Sequence, residues 1–168
     1  MTIVEQKEMN KLSMQNKSLP QLDELYKEII LDHYREPKGR EPLIRVDYKA
    51  DGMNPLCGDE IILSLQLEKD KIDKVHVEGH GCSISVASGS MLADLLGGKS
   101  LPEVREIIRN VKDLMHDKIK DNEIEKFNLG DLEALAGVKK FPVRIKCALL
   151  PWTTLEEALA GHDHVEIS

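Results

Sequence analysis

The chain has 168 residues, of which 41% are hydrophobic, and a formal net charge of −7. That is enough apolar material for the core of one domain. The negative balance argues against nucleic acid and anionic membrane surfaces as partners, and leaves room for a basic protein partner. The longest apolar runs, such as Ile61–Leu63 and Ala148–Leu150, are far too short to span a bilayer, and the residues after Met1 lack a signal-peptide apolar region, so the chain reads as cytoplasmic.

In chain order, Met1 to Pro20 is polar, lacks glycine and shows no apolar stripe. It reads as a mobile N-terminal extension, 1–20, ahead of a single domain, 21–168. Leu22, Leu25, Tyr26, Ile29 and Ile30 recur at helical spacing until Glu36, Pro37 and Gly39 interrupt them. The period then changes. Arg45 to Ala50 suits a strand, Glu60 to Glu68 alternates through Ile61, Leu63, Leu65 and Leu67, and Ile72, Val75 and Val77 follow the turn residues Lys69, Asp70 and Lys71. Short connections favour an antiparallel meander.

Ile84, Ala87, Met91 and Leu95 return to helical spacing and stop at Gly97 and Gly98. Ser100 and Glu103 fit a capping box for a helix through Val104, Ile108, Val111 and Met115. His116 to Gly130 is charged and poorly patterned and reads as an insertion, followed by a short helix over Leu132, Leu135 and Ala136. The last helical element runs from Val143 to Leu159, where Pro151 predicts two pieces because it lacks a backbone donor. The predicted fold is α+β: a single domain with a three-stranded antiparallel sheet packed by helices.

Three cysteines cannot all pair, and their spacing is unlike a secreted disulfide framework. A lone cysteine in a cytoplasmic chain is ordinarily a buried core thiol; the neighbours here suggest more. Cys57 and Asp59 flank Gly58 in a loop between strands, where alternate residues of an extended chain point the same way. Cys82 sits at a strand-to-helix junction, and Cys147 lies near the start of the final helix. Convergence of Cys57, Asp59, Cys82 and Cys147 would make a four-ligand metal site, and a tetrahedral set of three sulfurs and one oxygen suits zinc. Three thiolates and a carboxylate around a divalent ion leave a net charge of about −2, which favours nearby cations such as Arg144 and Lys146. Lys139 and Lys140 read as a solvated face. His80 reads as structural or solvent-facing, His162 and His164 as terminal and solvated, and His33 and His76 as having no cluster around them. Ser83, Ser85, Ser88 and Ser90 read as capping and packing residues, and Trp152 as a core or cleft aromatic.

Three stretches carry a family resemblance: Asn54-Pro55-Leu56-Cys57-Gly58-Asp59; Gly79-His80-Gly81-Cys82-Ser83-Ile84-Ser85 with Ala87-Ser88-Gly89-Ser90-Met91; and Arg144-Ile145-Lys146-Cys147. Together they resemble the NifU/IscU-type iron-sulfur cluster assembly proteins, over about Leu22 to Gly161. IscU-type scaffolds have a histidine before the third cysteine and a proline-rich chaperone-binding segment. This chain has Lys146 and Phe141-Pro142-Val143 instead, and with Leu149-Leu150-Pro151-Trp152 it is similar to the SufU branch.

The resemblance implies a SufE/NifU-like fold, zinc held by Cys57, Asp59, Cys82 and Cys147, Cys57 as sulfur acceptor and Arg144 assisting. It further implies a SufS-type cysteine desulfurase as partner, which supplies a histidine to zinc and frees the acceptor cysteine, and downstream iron-sulfur assembly proteins. The expected activity is that of a zinc-dependent sulfurtransferase. The alternatives are a scaffold carrying a transient iron-sulfur cluster on the same ligands, and a structural zinc domain that serves only as an interaction module.

Overall fold

Alternating apolar residues on neighbouring strands build one sheet. The computed structural model describes the backbone of residues 19–167 and the side chains of residues 23–167. Strands β1 (Tyr48–Asn54), β2 (Asp59–Glu68) and β3 (Lys71–His80) form the predicted antiparallel meander. Leu63 of β2 stands opposite Ala50 of β1 and Val77 of β3, so one face of the sheet is apolar. Lys69 and Asp70, both with positive φ, close the β2–β3 hairpin as a two-residue turn whose twist matches the strands. The first strand begins three residues later than predicted, at Tyr48. The segment before it instead lays the backbone N–H groups of Ile44 and Arg45 against the Gln66 side chain.

The sheet has four strands rather than the expected three, in the order β3-β2-β1-β4. The added strand, β4 (His164–Glu166), runs parallel to β1. It is three residues long and polar at both ends, too short for a period to show.

Among the described residues, six helical regions pack around the sheet. Helix α1 (Leu19–Arg35) begins three residues before the predicted Leu22. The expected extension 1–20 otherwise lies outside the described residues. Helix α2 (Ser83–Leu96) buries Ala87, Met91, Leu92 and Leu96, and α3 (Leu101–Met115) buries the stripe Val104, Ile108, Val111 and Met115. The predicted capping box is present: the Ser100 hydroxyl accepts from the Glu103 N–H, and the Glu103 carboxylate accepts from the Ser100 N–H.

The region expected to be an insertion, and the short helix after it, form two 3-10 helices, Asp121–Phe127 and Gly130–Lys140. They place Ile124, Leu129, Leu132, Leu135 and Val138 in the core. The charged residues between these anchors hide the pattern, because 3-10 geometry repeats every three residues rather than every 3.6.

Helix α4 (Pro142–Leu159) runs unbroken through Pro151, contrary to the expected division into two pieces. Pro151 removes the donor for the Cys147 carbonyl at a cost of about 3 kcal/mol in an isolated helix. Burial of Leu150, Trp152 and Leu155 on both sides of it offsets that cost. The helix lies directly on β1. A Cβ at Gly52 would stand 2.1 Å from Thr154 Oγ1, so only glycine permits this approach. Among the described residues no helix is long and apolar enough to cross a membrane.

His33 has a cluster around it, contrary to expectation. It is 5% exposed, with Nδ1 2.7 Å from Ser90 Oγ and Nε2 2.8 Å from Asp131 Oδ2. His33, Asp94 and Asp131 come close enough together to be considered for a metal. Both ring nitrogens are already hydrogen-bonded, however, and Asp94 pairs with Lys38, so the cluster reads as a polar tie between α1, α2 and the second 3-10 helix. Lys139 is not a solvated cation either: its side chain is 14% exposed and bonds both Asp117 and Asp121. Burial alone would lower its pKa, but these two carboxylates raise it. Lys140 pairs with Asp23 on the surface.

Candidate metal centre

One end of the sheet gathers the three cysteines and the aspartate. The β1–β2 loop is shaped by Asn54. Its carbonyl accepts from the Cys57 and Gly58 N–H groups, and its side-chain oxygen accepts from the Leu56 N–H at 3.2 Å. This Asx turn lifts Cys57 to a half-buried position at the tip, while Asp59, the first residue of β2, is fully buried. Across the sheet the chain leaves β3 through Gly81, whose φ is +145°. A Cβ there would fall 2.1 Å from Asp59 Oδ1, so the glycine lets the loop lie on the carboxylate. The Cys82 N–H then donates to Asp59 Oδ1 at 2.8 Å.

Cys147 arrives from α4, which Pro142 opens at a position where its missing N–H costs nothing. Cys147 Sγ lies 3.5 Å from Cys57 Sγ, and Cys82 Sγ lies 3.6 Å from Asp59 Oδ2. Donor atoms of Cys57, Asp59 and Cys147 all fall within 4.8 Å of one another; Cys82 is outside that tighter set and joins it through Asp59. A zinc tetrahedron with bonds of about 2.3 Å to sulfur and about 2.1 Å to oxygen has edges of roughly 3.5–3.8 Å. Both close contacts match such edges, so the donor set fits a zinc ion in chemistry and, at these two contacts, in spacing.

The electrostatics point the same way. Burial pushes the Cys147 thiol well above the usual thiol range, and its hydrogen bonds with Cys57 and Asp59 and the charge of Cys82 push it further. Without a cation, this crowd of acidic groups cannot ionise together. Arg144, one helical turn before Cys147 and exposed, faces the Cys82 and Cys147 thiols, whose negative charge raises its own pKa. His80 is 74% exposed and pairs with Glu60 rather than with the thiols.

Several residues of the site carried no role in the sequence reading. Asn54 shapes the loop and brings its Nδ2 to 4.0 Å from Cys147 Sγ. Asn before Pro55 is a turn signal that could have revealed the first role but not the second. Gly81 is required by its contact with Asp59, which no local pattern records.

A model of the NifU-like N-terminal domain matches residues 25–148. Among curated relatives, the zinc-dependent sulfurtransferase SufU of Bacillus subtilis is 42% identical over 142 residues, covering 84% of this chain and 94% of the relative. The iron-sulfur cluster assembly scaffold protein IscU of Streptococcus pyogenes is 38% identical over 142 residues, covering 84% and 87%. Among solved structures, the FiSufU protein of Fervidobacterium Islandicum superposes with a TM-score of 0.71 at 37% identity, covering 79% of this chain and 94% of that one. With the motifs, the four-stranded sheet and the domain match in agreement, the chain belongs to the NifU-like N-terminal domain family of iron-sulfur cluster assembly proteins.

Proposed function

We propose that this chain is a zinc-dependent sulfur acceptor that takes persulfide sulfur from a cysteine desulfurase for iron-sulfur cluster assembly. The observation that carries this reading is the meeting of three thiols and one buried carboxylate at a surface loop, with Cys57 half-buried at its tip and Cys147 beneath it. Cys57, Asp59, Cys82 and Cys147 would hold the zinc, which keeps the sulfurs as thiolates at neutral pH and shields them from oxidation until the partner docks.

Cys57 is the acceptor, because it stands on a four-residue loop that can move without unfolding a helix. Cys147, by contrast, is fully buried. The Cys57 thiolate attacks the terminal sulfur of the partner's persulfide. The sulfur–sulfur bond of the partner breaks, its cysteine leaves as a thiolate, and Cys57 carries the persulfide. Asp59 stays fixed by the Cys82 N–H throughout, and Arg144 balances the negative charge left at Cys82 and Cys147.

The test is desulfurase turnover with and without the purified chain, together with its zinc content. Stoichiometric zinc and a stimulation that disappears in Cys57→Ala are expected. Full stimulation by Cys57→Ala removes the acceptor assignment.

A second reading, a scaffold on which a cluster is built and passed on, draws support from three thiolates that suit iron as well as zinc and from the scaffold name of the Streptococcus relative. Anaerobic reconstitution separates the two: a pure sulfur relay holds no cluster that transfers to an apo-acceptor.

A further inference from the structure

The four candidate ligands are not equally tied to one another. Cys57 and Asp59 share the β1–β2 hairpin, and Cys82 is fastened to Asp59 through its own N–H at 2.8 Å. Among the described residues Cys147 has no such backbone tie to the other three, and it reaches the group only as far as α4 is held in place. Within α4 the helical bonding is weakest at this point, because Pro151 has no N–H for the Cys147 carbonyl.

The adjoining carbonyl is bound from outside the helix. Ser88 Oγ, on α2, donates to the Ala148 carbonyl at 2.6 Å and accepts from Trp152 Nε1 at 3.1 Å. Ser88, Ala148 and Trp152 are all fully buried. This is a closed polar network among fully buried residues, where every member is satisfied and loss of one leaves its partners buried and unpaired. Ser88 belongs to the helix that Cys82 opens, about 9 Å along the axis from it at 1.5 Å per residue. The network therefore joins the helix of Cys82 to the residue that follows Cys147. The remaining side-chain bond from α4 to α3 among the described residues, Lys112–Glu156, is exposed and far along the helix.

We propose that Ser88, oriented by Trp152, is a positioning residue for the metal centre: its bond to the Ala148 carbonyl sets the distance between the Cys82 and Cys147 sulfurs beside the helical hydrogen bond that Pro151 leaves unmade in α4. This rests on the reading of the four residues as metal ligands. Outer partners that orient metal ligands cost about 10–100-fold in affinity when removed, and Ser88 acts at one remove further, through the backbone, so the lower end of that range is expected.

The experiment uses the whole chain, stripped of metal and titrated anaerobically with Co²⁺, with zinc affinity then read by competition against a chelator. The wild type gives the intense thiolate-to-cobalt and tetrahedral bands of a sulfur-rich site. Ser88→Ala binds about tenfold more weakly and shows shifted bands. Val104→Ala, buried in α3 away from the network, loses thermal stability but keeps wild-type affinity and spectrum. Ser88→Thr, which keeps the hydroxyl, restores affinity to within about threefold. Should Ser88→Ala fail to fold, Trp152→Phe decides, with a loss of about threefold expected. Wild-type affinity and bands in Ser88→Ala, or in Trp152→Phe when it decides, overturn the positioning role. So does an equal loss in Val104→Ala. A wild type with no thiolate bands at all overturns the metal-site reading itself, which the variants then leave no room to rescue.

Discussion

Helices α2 and α3 begin with nearly the same backbone and opposite side-chain chemistry. Cys82 caps α2 at φ −73° and ψ 162°, and Ser100 caps α3 at φ −75° and ψ 162°. Ser100 turns its hydroxyl to the helix and satisfies the Glu103 N–H, whereas Cys82 makes no side-chain cap bond and turns its sulfur to Asp59. A good cap is worth about 1 kcal/mol. One helix start thus serves stability, and the other forgoes the cap and aims a thiol, together with the positive end of its dipole, at the candidate metal centre. The bodies of the helices follow suit. α3 buries one stripe and leaves the rest in water, while α2 buries Ser85 and then Ala87, Ser88, Gly89 and Ser90 in a row, small residues that let the sheet and two helices close around it.

The contrast is broken most strongly by making Cys82 resemble Ser100. Cys82→Ser supplies the missing cap and removes a proposed sulfur ligand. Zinc affinity, read by chelator competition, is expected to fall by more than about 100-fold, beyond what outer-partner changes cost. The metal-free protein gains about 1 kcal/mol in urea unfolding. Zinc binding unchanged by this substitution would mean that Cys82 is not a ligand.

Next in size is the residue before that cap. Gly81→Ala forces a side chain to φ +145° and onto the Asp59 carboxylate. It should destabilise the protein by about 1–3 kcal/mol and weaken zinc binding at the same time. At the other helix, Ser100→Ala should cost about 1 kcal/mol by thermal melting and leave zinc affinity untouched, since its cap touches nothing in the centre. A parallel loss of zinc affinity would show that the two helix starts are not independent.

The smallest effect lies outside both helices, on the edge strand. His164 bonds Asp51 and Glu166, which raise its pKa above the ordinary histidine value. Because the folded pKa is the higher one, the stabilisation is complete below about pH 6.5, where the unfolded histidine titrates, and is lost as pH rises through the folded value. An NMR titration of His164 should show a midpoint above that of an unperturbed histidine, and Asp51→Asn should lower it. An unchanged midpoint would mean that the carboxylate does not act on it in water.

Where a period is local and long enough, the elements could be read directly. β2, β3, α2 and the capping box of α3 stand within a residue or so of where alternation, helical spacing and the Ser100–Glu103 pair put them. β4 and the first 3-10 helix could not be read, because three polar residues carry no alternation and a short three-residue repeat among charges resembles a loop, whereas the second 3-10 helix was read as a short helix over Leu132, Leu135 and Ala136. Pro151 misled for a different reason: its local penalty is real, but burial of Leu150, Trp152 and Leu155 outweighs it.

The site divides in the same manner. The residue types Cys57, Asp59, Cys82 and Cys147, their loop and helix-start positions, and the family motifs around them were all present in the order of the chain. Their meeting was not, because Cys57 and Cys147 are 90 residues apart and no neighbour relation along the backbone encodes a 3.5 Å contact over that span. Tertiary packing alone settled that Arg144 faces the thiols, that Gly81 must be small, that His33 is a buried tie, and that Ser88 grips the carbonyl beside Cys147. Local sequence dictates which groups are available and which way an element starts. Only the closing of the core brings groups from three separate segments together.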